Sequence, residues 1–284
     1  MKYFIIKWIV ALFIIFSAWA GWLYALQEQF IFYPSSEIIS HPIRSGLKWE
    51  PVSWKTTDGE TLQGNWMENE GALHTVVYFH GNGGNISILA GQMYVFQTLG
   101  VNALIFDYRG FGESSGKIKR EFDLYEDGKS AIKFLEGQKH IPLENMIFWG
   151  QSLGTGVATE LAQNQNIAAL ILDFPFLSLP SVAQMHYPFL PMKFLMRYKF
   201  DNAQKIKNVH APVMMFFTKE DEIIASTQAP ELFALANNPK ELVELTGTHN
   251  RAIPETTDKY VQSLHKFFEK NFEGNEELRV KNEE

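Results

Sequence analysis

Residues 8–26 read WIVALFIIFSAWAGWLYAL, a stretch without a charged side chain. A helix over it spans about 28 Å at 1.5 Å per residue, near the hydrocarbon thickness of a bilayer. Lys2 and Lys7 precede it, and Gln27 and Glu28 follow. Tryptophan and tyrosine stand near both ends, as interfacial anchors do. Ala18-Trp19-Ala20 also fits a signal-peptidase site, so a cleaved signal peptide competes with a permanent anchor. Apolar character runs past that site to Leu26, which favours the uncleaved anchor over both the signal peptide and a buried globular helix. The flanking lysines predict a cytoplasmic N-terminus, with the rest of the chain on the other side of the membrane.

From residue 28 onward the pattern changes. Residues 52–56 and 62–67 alternate as two strands around the turn Thr57-Asp58-Gly59, a hairpin signal. Short apolar runs then alternate with helical periodicity. The runs at 75–79, 103–106, 146–149, 168–172, 213–217 and 241–245 predict strands. Residues 86–99, 123–135, 154–163, 231–236 and 258–272 predict helices, the last with Tyr260, Val261, Leu264, Phe267 and Phe268 on one face. This order predicts an α/β fold, a mostly parallel central sheet with helices on both faces. The expected organisation is a transmembrane helix over 1–27, one domain over 28–272 and a polar tail over 273–284 that frays.

Charge and composition narrow the function. The chain carries 25 basic and 32 acidic residues, a formal net charge of −7. Without a basic stripe, nucleic acid is excluded as a partner. The chain has no cysteine, so disulfides, thiolate nucleophiles and Cys-ligated zinc are excluded.

Ligands of open parallel sheets collect at the carboxyl ends of the strands, so chemistry is sought there. Gly150-Gln151-Ser152-Leu153-Gly154 follows the strand at 146–149 and opens a helix. That G-x-S-x-G context projects a serine from a sharp turn that leaves no room for Cβ atoms beside it. His80-Gly81-Asn82-Gly83-Gly84-Asn85 follows the strand at 75–79. A phosphate loop fails there, because Ile86 replaces the third glycine and no G-K-[ST] is present. The better reading is an oxyanion loop, the N–H of Asn82 joining that of Leu153. His80 is then a brace.

The chain has eight histidines. His41, His74, His140, His186, His210 and His265 lie before strands, in an insertion or on the last helix. His249, in the turn Gly247-Thr248-His249-Asn250, follows the final strand and is the candidate base. For its acid, Glu220-Asp221-Glu222 follows the strand at 213–217. Asp221 fits best, and Asp173 at the end of the preceding strand is the runner-up. Along the chain the order of the three is Ser152, Asp221, His249. Asp107 and Arg109, at the end of another strand, read as an ion pair holding a loop beside the site.

Seven stretches, in order, carry a family resemblance: QEQFIFYP (27–34), YFHGNGGN (78–85), FDYRGFGES (106–114), GQSLGTG (150–156), HYPFLPMKFLMRYKFDN (186–202), DEII (221–224) and GTHN (247–250). The chain resembles the single-span membrane branch of the α/β-hydrolase superfamily. This branch is related to serine-aminopeptidase-like and lysophospholipase-like hydrolases and to eukaryotic proteins that remove acyl groups. The resemblance implies Ser152 as nucleophile, Asp221 as acid and His249 as base. Many relatives carry His-Gly before the acid loop where this chain has Phe217-Thr218, which loosens the alignment of Asp221.

Residues 174–210 occupy the place of a cap. Pro175, Pro180, Pro188 and Pro191 forbid one long helix. Its Phe, Leu and Met side chains either line an acyl groove, touch a bilayer, or simply cover the sheet. The expected activity is hydrolysis of an ester, thioester or amide in a small-molecule, lipid or acylated substrate, through an acyl-enzyme and with no metal or organic cofactor. An acyltransferase using the same acyl-enzyme and a non-catalytic binding protein are the alternatives.

Overall fold

The structure is a computed structural model that describes residues 2–39 and 49–273. His41 and the polar tail over 274–284 lie outside the described residues. The hairpin forms as the pattern requires: β1 (Glu50–Lys55) pairs antiparallel with β2 (Thr61–Met67). The remaining strands are β3 (Thr75–Phe79), β4 (Asn102–Phe106), β5 (Met146–Gln151), β6 (Ala169–Asp173), β7 (Val213–Thr218) and β8 (Lys240–Leu245). Their order across the sheet is β8-β7-β6-β5-β3-β4-β2-β1. From β4 to β8 every pairing is parallel, and β2 joins β4 antiparallel.

The central strands β3, β4 and β6 are buried at every position. Helices therefore cover both faces, which explains continuous apolar runs in place of alternation. On them lie α2 (Ala90–Thr98), α3 (Glu121–Gln138), α4 (Leu153–Ala162), α5 (Gln228–Leu235) and α6 (Thr257–Phe268); α1 is the N-terminal helix, Lys2–Ala25. Two expected helices change shape. The one expected at 86–99 starts as a single 3-10 turn, Ile86–Ile88, because the Asn85 side chain accepts the Ser87 N–H and caps that turn separately. The last α-helix stops at Phe268 and continues to Glu273 as a π-turn.

α1 has no buried residue and is long and apolar enough to cross a membrane. Most of its apolar side chains are exposed, and only its last turns meet the domain, where Leu23 packs against the core. A short helix, Gln27–Ile31, leads from it to a two-residue parallel pairing of Tyr33 and Pro34 with Gly83 and Gly84. The cap breaks at its prolines into Leu179–His186, Met192–Leu195 and Asn202–Lys205. Phe174, Phe176, Leu190, Tyr198 and Phe200 cover the sheet, whereas Met185, Tyr187, Phe189 and Phe194 are exposed. Cover and exposed surface thus come from different residues of one segment.

Close approach at the β5–α4 turn leaves no space for side chains. A Cβ on Gly150 would sit 2.4 Å from the Gly154 carbonyl oxygen, and one on Gly154 would sit 1.9 Å from that of Phe79. Gly154→Ala is expected to lower the unfolding free energy by about 3 kcal/mol, the upper end of overpacking. Denaturant midpoints of the two proteins in detergent check this.

Candidate active site

Three loops at the carboxyl ends of β5, β7 and β8 converge. Ser152 stands between β5 and α4 with φ 51° and ψ −118°. A non-glycine residue in that region is strained by about 1–3 kcal/mol, a cost met only where packing over-determines it. Here the Ser152 N–H is held by the Asp173 carbonyl at 2.8 Å. The turn points the hydroxyl off the sheet edge toward the β8 loop.

The His249 Nε2 lies 3.1 Å from the Ser152 Oγ, and its Nδ1 lies 2.7 Å from the Asp221 Oδ2. A carboxylate only accepts, so Nδ1 carries the proton and Nε2 accepts from the serine hydroxyl. The other Asp221 oxygen accepts the N–H groups of Ile223 and Ile224, at 2.9 and 2.8 Å. The His249 N–H is held by Glu222 at 3.0 Å, and its ring packs against Phe174 with centroids 5.1 Å apart. Histidine and aspartate side chains are each 5% exposed. Asp221 and His249 are thus fixed from both sides and shielded from bulk water, whereas Ser152 is half-buried and faces the cavity.

Of the two acids weighed for this position, Asp221 reaches the histidine and Asp173 does not. The Asp173 side chain turns into the core and accepts from Trp149 Nε1 at 2.8 Å and Tyr260 Oη at 2.7 Å. The departure at Phe217-Thr218 also has a structural role. The Thr218 hydroxyl donates to the Gly247 carbonyl at 2.7 Å and accepts the Glu220 N–H at 3.1 Å, tying the acid loop to the histidine loop.

Asn82 and Leu153 line the same cavity as Ser152 and His249, about 750 Å³ in volume. Leu153 lies in the first turn of α4, where N–H groups have no intrahelical carbonyl. Gly81 sets the loop against the serine: a Cβ there would lie 3.7 Å from that of Ser152. His80 is buried and donates from Nδ1 to the Gly81 carbonyl at 2.7 Å. Burial pushes its pKa down to about 4, so it stays neutral and braces the loop as expected. Arg109 binds Asp127 at 2.6 Å and Asp58 at 2.7 Å, and holds the loop after β4. Asp107 is not its partner; that carboxylate accepts the Ile86 N–H at 2.9 Å.

The segment after α1 contributes more than sequence reasoning gave it. Phe30, Ile31 and Tyr33 line the cavity. The Asn82 side chain donates to the Ile31 carbonyl at 2.8 Å, and the Asn82 carbonyl accepts the Tyr33 N–H at 2.8 Å. His186, set aside as part of an insertion, donates from Nε2 to the Ile223 carbonyl at 2.9 Å and fastens the cap to the acid loop. The run QEQFIFYP signalled the first of these; nothing local signalled the second.

Buried carboxylates set a pH dependence. Burial pushes Asp173 up to about 7, against the opposing hydrogen bonds from Trp149 and Tyr260. Burial also pushes Asp107 up to about 7. Folded pKa values above the ordinary value mean stability that is complete below about pH 4 and lost as the pH rises through about 7. Thermal melts are therefore expected to shift upward between pH 8 and pH 5, and Asp173→Asn to flatten that trend. Below about pH 4 Asp58 reverses it, because the Arg109 hydrogen bonds hold its carboxyl near 2 and protonation breaks them.

Known proteins share this architecture. An uncharacterized protein of Mycobacterium tuberculosis is 34% identical over 83% of this chain and 84% of its own length. The chain belongs to the α/β-hydrolase family. A family model for the alpha/beta hydrolase fold matches residues 74–205. Protein bem46 of Schizosaccharomyces pombe is 30% identical, with 78% of each chain covered, and belongs to the same branch of α/β hydrolases. An esterase of Pyrococcus furiosus has a TM-score of 0.73 at 19% identity, covering 85% of this chain and 98% of its own, a likeness of fold.

Proposed function

We propose that this α/β hydrolase is a membrane-anchored serine hydrolase that cleaves ester or thioester bonds in lipid-like or acylated substrates. The relay from Asp221 through His249 to Ser152, with bonds of 2.7 and 3.1 Å, carries this reading. Folding alone has no use for a strained serine facing a buried imidazole; nucleophilic catalysis does. The Pyrococcus furiosus protein that shares this fold is an esterase, which fits the same chemistry.

In this mechanism His249 takes the Ser152 proton as Oγ adds to the acyl carbonyl. The N–H groups of Asn82 and Leu153 hold the oxyanion; one such donor is typically worth about 2.7–4 kcal/mol. The tetrahedral adduct collapses, and the alcohol or thiol leaves with the proton from His249. Water, deprotonated by the same imidazole, then adds to the acyl-enzyme, and the carboxylic acid leaves as Ser152 regains its proton. An apolar cavity wall of Ile31, Leu179 and Val182 suits an acyl chain.

Active-site labelling tests the reading. The full chain in detergent is expected to take a fluorophosphonate on the peptide holding Ser152. A folded protein that stays unlabelled would overturn it. Protease protection of the C-terminus in sealed vesicles tests the expected placement of the hydrolase domain on the non-cytoplasmic side.

A further inference from the structure

The cavity at Ser152 does not end at the cap. A second, apolar chamber of about 140 Å³ adjoins it. Phe30, Ile31, Tyr33, Ala183, Tyr187 and Met196 line both chambers, so the two share a wall. The outer chamber is also lined by Ala20, Leu23 and Tyr24 of α1. The shared side chains Phe30, Ile31, Ala183 and Met196 thus stand between the serine cavity and the last turns of α1.

The cap is fastened to that helix end. Gln27 donates from its side chain to the Leu195 carbonyl at 2.7 Å and accepts the Arg197 N–H at 2.8 Å. Arg197 also pairs with Glu28 at 2.7 Å and lies over the Tyr24 ring at 5.4 Å. This places the turn Met192–Leu195 beside the end of the span. On the same cap Phe189 is 96% exposed and Phe194 is 81% exposed. Large aromatics so exposed, with Lys193 and Arg197 among them, have the chemistry of an interfacial surface and not of a water-facing one.

We propose that this surface rests on the bilayer that holds α1, and that the acyl chain of a bilayer lipid passes between α1 and the cap to reach Ser152. The idea rests on the hydrolase reading above and adds the substrate's source and its route. Phe189 and Phe194 bring the cap to the membrane. The outer chamber gives the leaving chain an apolar surface at every step, so it is not exposed to water in transit.

The test uses the full chain in phosphatidylcholine vesicles and two esters with the same leaving group. One is p-nitrophenyl palmitate dissolved in the vesicles, the other p-nitrophenyl acetate in water. Ala20→Trp, which fills the outer chamber from α1, and Phe189→Ser/Phe194→Ser are each expected to slow palmitate hydrolysis at least about tenfold. Acetate hydrolysis is expected to stay within about twofold, since neither change touches the cavity at Ser152. Equal loss on both esters, or no loss on palmitate, overturns the route and leaves the hydrolase reading standing. If the wild type cleaves neither ester and takes no fluorophosphonate, the hydrolase reading fails. The route is then read from photolabelling. Ser152→Ala protein in vesicles of diazirine-bearing phosphatidylcholine is expected to be labelled on α1 and on residues 179–196. Label on α1 alone overturns it.

Discussion

Ser152→Ala is expected to abolish fluorophosphonate labelling and to lower ester hydrolysis by at least about 1,000-fold. The alanine removes the oxygen that the His249 Nε2 faces at 3.1 Å and leaves the turn otherwise intact. Its N–H still reaches the Asp173 carbonyl, because that bond is made by the backbone. The variant is thus expected to fold and to melt close to wild type, which separates lost chemistry from lost structure. His249→Ala is expected to match it, and the double variant to be no worse than either single one. Groups that act as one unit lose their effect together, so additive losses would argue against a shared proton relay. Steady-state rates with one p-nitrophenyl ester across the four proteins decide this.

Asp221→Asn is the second large effect, a drop in kcat of about 1,000- to 10,000-fold with little change in KM. The amide keeps an oxygen that can accept from Ile223 and Ile224, so the loop is retained. It loses the negative charge opposite His249 Nδ1. The imidazolium formed as Ser152 attacks is then uncompensated, and the amide also favours the wrong tautomer. Asp173→Asn is expected to leave the rate within about tenfold of wild type, because Trp149 and Tyr260 hold that carboxylate in the core. The reverse ranking would assign the acid to Asp173 and undo the reading of the β7 loop. Measuring both variants at one pH with matched substrate concentrations gives the ranking directly.

The β7 loop also shows where sequence reading lost resolution. Glu220, Asp221 and Glu222 are chemically equivalent along the chain. Only the loop path separates them: Asp221 takes the imidazole while Glu222 takes the His249 backbone N–H. Asp107 was misjudged for a similar reason. Two positions before Arg109, it faces the Ile86 N–H, while the arginine reaches across to Asp58 and Asp127. Asp107 and Arg109 both lie beyond the end of β4 at Phe106, where the path of the loop, and not strand alternation, sets the direction of each side chain.

The sequence by itself determined the alternating strands and helices, the apolar N-terminal helix, and the serine and histidine at strand ends. These features are local: period, turn residues and the steric demand for glycine beside Ser152 are written within a few positions. The sequence favoured Asp221 among its neighbours, but the fastening of the cap through His186 and Gln27, and the use of Ile31 and Tyr33 to hold the Asn82 loop, were decided by tertiary structure alone. Each of those joins residues far apart in the chain. Hydrogen bonds between distant segments depend on where the sheet order places the loops, and that order is set by packing of the whole core.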